Sequence, residues 1–188
     1  MRMSKAIGIR AKKADGAYDL GASKFFGTPT VPEAWGEDFY DTDLFFCQIR
    51  LADIATLDTE NRLPHTGYLY VFLDTAEGPY QLKATVRYSP DEPCLAIDAF
   101  NSETVGYEQY TEAWLMEFYP VGEDVEGTRL FGVPSDWPFE EPHPSLLLQY
   151  DPLDSEMGFL DSLDGFLYLF FGADTADFGA VTLREEYS

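Results

Sequence analysis

Three elements occur twice along this chain, in the same order. Gly165 to Ala173 reads Gly-Phe-Leu-Tyr-Leu-Phe-Phe-Gly-Ala, and Gly67 to Asp74 reads Gly-Tyr-Leu-Tyr-Val-Phe-Leu-Asp. Aromatic and aliphatic runs of this length, opened by glycine, predict buried β-strands rather than helices. Each follows another apolar strand that carries a glutamine: Phe45-Phe46-Cys47-Gln48-Ile49 in the first copy and Leu146-Leu147-Leu148-Gln149-Tyr150 in the second. Upstream of each lies a Phe-Gly turn with Pro and Trp nearby, Phe26-Gly27-Thr28-Pro29 with Trp35 and Phe131-Gly132-Val133-Pro134 with Trp137. The repeated order predicts an internal duplication. Half one covers about residues 20–100 and half two about 105–185, within a single domain of 1–188.

The remaining pattern fills in around these strands. Residues 3–10 predict a first strand, and Ser23 to Phe26 a short one that ends at Gly27. Thr28 to Asp43, with two prolines, Trp35, Glu37, Asp38, Asp41 and Asp43, reads as a long loop held down by its aromatics. From Asp43 to Leu51 the period-two rule puts Phe45, Cys47, Ile49 and Leu51 on one face, and Phe46, Gln48 and Arg50 on the other. Ala52 to Arg62 is a connector with room for one helical turn. Tyr80 to Tyr88, with Leu82, Ala84, Val86 and Tyr88 alternating, is the hairpin partner of the Gly67 strand. Thr104 to Gln109 fits no single pattern. Ala113 to Val121 reads as a strand in preference to a short helix, and Phe178 to Glu185 as a last strand. The fold class that follows is α+β, predominantly β, with two tandem pseudo-symmetric halves.

Composition narrows the function classes. With 188 residues and 45% hydrophobic content, the chain can bury one sizeable core, and 16% aromatic residues argue against disorder. The net charge is −22. The first 24 residues hold six bases (Arg2, Lys5, Arg10, Lys12, Lys13, Lys24) and two acids (Asp15, Asp19), so the remainder carries −26. Such a surface repels phosphate backbones and anionic membranes and attracts a basic partner. Solubility, or adaptation to salty or acidic surroundings, is the alternative reason for the charge. Two cysteines, Cys47 and Cys94, do not make a disulfide scaffold in a chain of this size. Ala6-Ile7-Gly8-Ile9 is too short for a signal-peptide core, and no apolar run approaches the roughly 20 residues of a membrane span. These features predict a cytoplasmic protein, with no cofactor and no metal site implied.

Candidate chemistry is sparse. Gln48 and Gln149 hold equivalent places in the two copies. A buried amide needs partners: either both glutamines face a groove shared by the halves, or each ties down the backbone of a neighbouring loop. Ser23 and Lys24 are adjacent on a strand, so they point to opposite faces and make a poor catalytic dyad. Lys24 reads as a structural or surface cation near the acidic loop. The two histidines, His65 and His143, sit beside prolines at non-equivalent places and have no zinc-like spacing. Asp151, Asp154, Glu156, Asp161 and Asp164 form an acidic segment whose spacing is not that of a calcium loop. Asp164 before Gly165 also suits a turn. Trp35, Trp114 and Trp137 serve as loop or core anchors, or as walls of a groove. No phosphate-binding glycine motif and no nucleophile elbow are present.

The motif set resembles the YwqG-like family, a bacterial domain of unknown function. The matching residues are Ser23-Lys24, Gly27, Pro29 and Pro32 followed by Trp35, then Gln48, then Pro64 and Gly67 entering an aromatic strand. In the second half they are Gly132 and Pro134, Leu146 to Gln149, and Asp164-Gly165 with Leu167, Tyr168 and Phe170. The likeness spans roughly residues 20–75 and 129–183. It implies a mostly β domain with twinned halves and no defined reaction. The occurrence of some relatives near toxin and immunity genes implies an inhibitor role. Taken together, the sequence predicts a non-enzymatic acidic interaction module, of immunity type, that binds a basic protein. A small-ligand groove near Gln48 and Gln149 is the second reading, and a carboxylate-dependent hydrolase the third. The binding candidates are Lys24, Trp35, Gln48, Gln149 and Asp164. The structural motif residues are Gly27, Pro29, Gly67, Gly132 and Gly165.

Overall fold

Alternating apolar positions build one long antiparallel sheet. The computed structural model describes residues 6–78, 80–104, 106–108, 110–137, 142–154, 157 and 166–186. Its strands are β1 (Ala6–Lys13), β2 (Lys24–Phe25), β3 (Thr30–Val31), β4 (Asp43–Arg50), β5 (Tyr68–Asp74), β6 (Lys83–Ser89), β7 (Leu95–Ala96), β8 (Trp114–Val121), β9 (Arg129–Leu130), β10 (Leu146–Tyr150), β11 (Leu167–Phe170) and β12 (Thr182–Glu185). One short helix, α1 (Phe100–Glu103), and 3-10 turns at Glu33–Trp35, Leu51–Asp53 and Phe178–Ala180 complete the described elements. The fold is predominantly β. Of the two ambiguous segments, Trp114–Val121 is a strand, and the described residues of the other, Thr104, Gly106, Tyr107 and Glu108, lie in neither a helix nor a strand, with Val105 and Gln109 outside the described residues. Gly165 lies outside the described residues, and the strand read from it begins at Leu167.

The strand order is β12-β11-β10-β9-β1-β8-β2-β4-β5-β6, with β3 and β7 forming a separate pair. β1 and β8 make the centre, pairing from Ala6 opposite Val121 to Lys13 opposite Trp114. Outward from that central pair run two arms, β2-β4-β5-β6 on one side and β9-β10-β11-β12 on the other. The sheet curls until it is nearly closed. The end strands β6 and β12 come close together without hydrogen bonding, and Phe178 packs against Tyr88 with ring centroids 5.7 Å apart.

The inner face carries the main core, including Ile9, Phe25, Phe46, Ile49, Leu69, Val71, Leu130, Leu148, Tyr150 and Leu169. Two smaller clusters sit on the outer face. Phe45, Tyr70 and Phe72 lie beneath Trp35, Phe39 and Phe100 in one arm, and Leu146, Tyr168 and Phe170 beneath Trp137 and Phe166 in the other.

The face assignment along β4 needs correction. Register shifts between Phe45 and Cys47, so Phe46 is an extra residue on its strand. A bulge of this kind breaks the two-residue period. Phe46 therefore joins Cys47 and Ile49 in the inner core, while Phe45 turns outward with Gln48. β10 has the same shift between Leu146 and Leu148, with Leu146 outside and Leu147 inside. The Phe-Gly turns complete these bulges. The Phe26 amide donates to the Phe46 carbonyl at 2.9 Å, and the Phe131 amide to the Leu147 carbonyl at 3.2 Å. To reach it, Phe26 and Phe131 adopt φ of 51° and 63°, an unfavourable region for a bulky residue. Both rings are buried, at 1% exposure, and that burial offsets the backbone cost.

Asn101 of α1 serves β4 from 56 residues away. Its Oδ1 accepts from the Phe45 amide at 2.8 Å, and its Nδ2 donates to the Phe45 carbonyl at 3.0 Å and the Tyr110 carbonyl at 2.7 Å. The side chain supplies the ladder partner that the irregular strand lacks.

Gly67 enters β5 at φ 82°, and a Cβ there would stand 2.3 Å from the Ser89 carbonyl oxygen. Gly78 has φ 90° with open space around it. Gly67→Ala is expected to destabilise by about 3 kcal/mol and Gly78→Ala by about 1 kcal/mol. Urea denaturation of both variants measures the difference, and equal losses would contradict the packing argument.

Candidate functional site

Two cross-strand rows cross the outer face. In one arm Lys24 stands opposite Gln48, Gln48 opposite Tyr70, and Tyr70 opposite Arg87. In the other arm the row is Arg129, Gln149, Tyr168 and Arg184. Residues directly opposite share a face of the sheet, so each row presents a cation, an amide, a phenol and an arginine to the loop above it. Trp35 meets Tyr70 edge-on at 5.2 Å, and the Arg87 guanidinium lies 3.8 Å from the Trp35 ring centroid. Trp137 meets Tyr168 at 6.4 Å, with the Arg184 guanidinium 4.6 Å above its ring.

Both glutamines are fully buried and fully used. Gln48 Oε1 accepts from the Thr30 amide at 3.1 Å, and Nε2 donates to the carbonyls of Leu20 at 3.0 Å and Ala22 at 3.1 Å. Gln149 Oε1 accepts from the Ser135 amide at 2.8 Å, and Nε2 donates to the Gly127 carbonyl and the Ser135 hydroxyl, each at 2.9 Å. β4 and β10 have β2, β8, β1 and β9 between them. The two amides are thus roughly 24 Å apart along the sheet, and each serves the loops of its own arm.

Lys24 is fully buried and donates to the Leu20 carbonyl, which also accepts from the Thr30 hydroxyl at 2.8 Å. Burial lowers its pKa to about 7, against a small opposing pull from Asp19. A lysine of that pKa is a recurrent catalytic feature, but here the ammonium is spent on backbone and has no nucleophile beside it. The neighbouring Ser23 hydroxyl donates to Asp53 at 2.6 Å and accepts from the Arg50 amide at 2.9 Å. Arg129 is the counterpart of Lys24. It is 1% exposed and donates from Nη2 to the Val133 carbonyl, and its Nε and Nη1 have no hydrogen-bond partner among the described residues. Burial holds its pKa below the usual arginine value. Arg129 was missed in the sequence, although Gly127-Thr128-Arg129 precedes Phe131-Gly132 as Ala22-Ser23-Lys24 precedes Phe26-Gly27.

Other candidates are dispersed. Asp164 and Gly165 lie outside the described residues, as do Glu156 and Asp161. Gly27 and Gly132 have positive φ beside their phenylalanines, and Pro29 is buried. His65 Nε2 is 3.7 Å from Asp58, while His143 is exposed. Cys47 is buried, with its thiol pushed up by burial, and Cys94 is exposed; both are free. Among the described residues no three His, Cys, Asp or Glu side chains converge as metal ligands, and no helix is long and apolar enough to cross a membrane.

A cleft of about 260 Å³ opens on the outer face of β5 and β6. Its floor is Phe72, Asp74, Thr85 and Arg87, and its wall is Asp38, Phe39, Tyr40, Thr42 and Asp43. The alternation of Tyr70, Phe72 and Asp74 along β5 is the sequence signal for that floor. The wall needed the loop's tertiary position.

Neither a protein-family model nor a curated protein matches this chain.

Lys24 makes stability depend on pH. Its folded pKa lies below the unfolded value, so between pH 7 and about 10 the unfolded chain binds the extra proton. Stability therefore rises with pH in that window, by at most about 1.4 kcal/mol per pH unit. Above that range the trend reverses, because burial raises the phenols of Tyr70, Tyr107 and Tyr168 in the folded state. Lys24→Met is expected to flatten the rise between pH 7 and 9.5 in urea titrations. An unchanged slope would show that Lys24 is not its source.

Proposed function

We propose that this chain is a non-enzymatic interaction module whose acidic surface binds a basic protein, with an immunity-type inhibitor as the most concrete form. The observation that carries the reading is where the positive charge goes. Arg10, Lys13, Arg50, Arg62, Arg87 and Arg184 each lie within ion-pair distance of a carboxylate, and Lys24 and Arg129 are buried. Because these cations are buried or already paired, the net charge of −22 is carried by carboxylates without a cation beside them. Exposed Asp41, Glu77, Asp91, Glu103, Asp136 and Asp174 are part of that excess. Such a field speeds encounter with a basic protein and selects against acidic ones.

The matching rows and bulges of the two arms support descent from a tandem duplication, in a domain of YwqG-like type. A small-ligand groove at Gln48 and Gln149 is the weaker reading, because both amides are committed to their own loops. Affinity capture from host lysate at low salt, with elution by a salt gradient, tests the proposal. A stoichiometric basic protein released as salt rises is the expected result. Recovery of no basic partner at low salt would contradict it.

A further inference from the structure

We infer that the cleft on β5 and β6 receives an arginine side chain from a basic partner protein, an inference that rests on the proposed function. The cleft, at about 260 Å³, falls below the usual range for small-molecule sites of roughly 300–1,000 Å³ and suits a single long side chain. Its walls combine aromatic rings and carboxylates. Phe39 and Phe72 pack with centroids 4.7 Å apart, and Tyr40 is 78% exposed at the rim. That pairing recognises a flat, weakly hydrated cation better than a compact ammonium.

The chain already docks one guanidinium in this manner. Arg87 stacks on Trp35, reaches Phe39 with 5.9 Å to the ring centroid, and donates to Asp38 at 3.0 Å. Asp38 is thereby occupied, and Asp43 and Asp74 remain. They stand directly opposite on β4 and β5, an unfavourable register for like charges. One Asp43 oxygen accepts from the Tyr40 amide at 2.8 Å, and one Asp74 oxygen from the Ala76 amide at 3.0 Å. Burial, aided by Asp74, raises the Asp43 carboxyl and makes its ionisation costly. The register sets Lys83 beside Asp74 but no cation beside Asp43. A guanidinium entering between the two carboxylates relieves that repulsion and lies against the rings.

The probe is the peptide acetyl-Gly-Arg-Gly-amide, titrated at low salt and followed by NMR on the full chain. Acetyl-Gly-Lys-Gly-amide and hexa-arginine are run beside it. The expected result is saturable shifts at Phe39, Tyr40 and Phe72, tighter for the arginine than for the lysine peptide. Asp43→Asn with Asp74→Asn, which keeps both acceptors, should weaken binding at least tenfold. Tyr40→Ala, at an exposed position, should weaken it without affecting folding. Hexa-arginine binding that leaves these rings unshifted would overturn the cleft assignment while the acidic-module reading stands. Absence of binding by any of the three peptides would overturn both. Equal shifts in the double variant would overturn the role of Asp43 and Asp74 and with it the proposal.

Discussion

A loop that crosses an apolar sheet face must find partners for its own backbone, and in this protein a buried glutamine in each arm provides several of them. Gln48 and Gln149 sit near the middle of the outer rows, where no water reaches. Each offers one acceptor and two donors, and each spends all three on its arm's loops. A buried amide left unsatisfied costs about 1–3 kcal/mol, so the loop and the strand hold each other in register. With Thr30 tied to Gln48, the following segment lays Trp35 on Tyr70 and Phe39 on Phe72. The cleft wall is a consequence of that placement.

The charges are arranged by the same geometry. Lys24 and Arg129 hold corresponding places next to the glutamines and are buried against carbonyls instead of carboxylates. Arg50 bridges to Asp19 at 2.6 Å and to the Tyr68 hydroxyl at 2.9 Å, and Tyr68 donates on to Glu92 at 2.9 Å. Most of the described cations are thus drawn inward or paired, while many carboxylates face solvent. Carboxylates outnumber cations on the exposed loops around the sheet. Among the described residues, Lys24, with its pKa lowered to about 7, points at the backbone, and Ser23 beside it is engaged elsewhere.

Much of the fold was legible in the residues. The glutamine strands, the aromatic strands after them and the Phe-Gly turns each announce themselves by local composition, and the strand and hairpin assignments follow from period two. The bulges were not legible, because Phe46 and Leu147 are as apolar as their neighbours and only pairing across the sheet shows them to be extra. α1 escaped for a related reason. Its four residues are too few for a helical period, and its purpose, satisfying Phe45 through Asn101, is a contact between distant parts of the chain. The site divides the same way. Gln48, Gln149 and Trp35 stand out as repeated residues, whereas Arg129 is hard to see because the matching position in the other arm holds a lysine, and the pairing of Asp43 with Asp74 depends on strand register.

The measurement that bears most directly on this account is native-state amide hydrogen exchange at Thr30 and Ser135, in the parent chain and in Gln48→Leu and Gln149→Leu. If the amides organise the outer face, both protons exchange slowly in the parent. Each variant then releases only the proton of its own arm. Fast exchange of Thr30 and Ser135 in the parent, or protection that survives loss of the glutamine, would contradict the central role given to these two side chains.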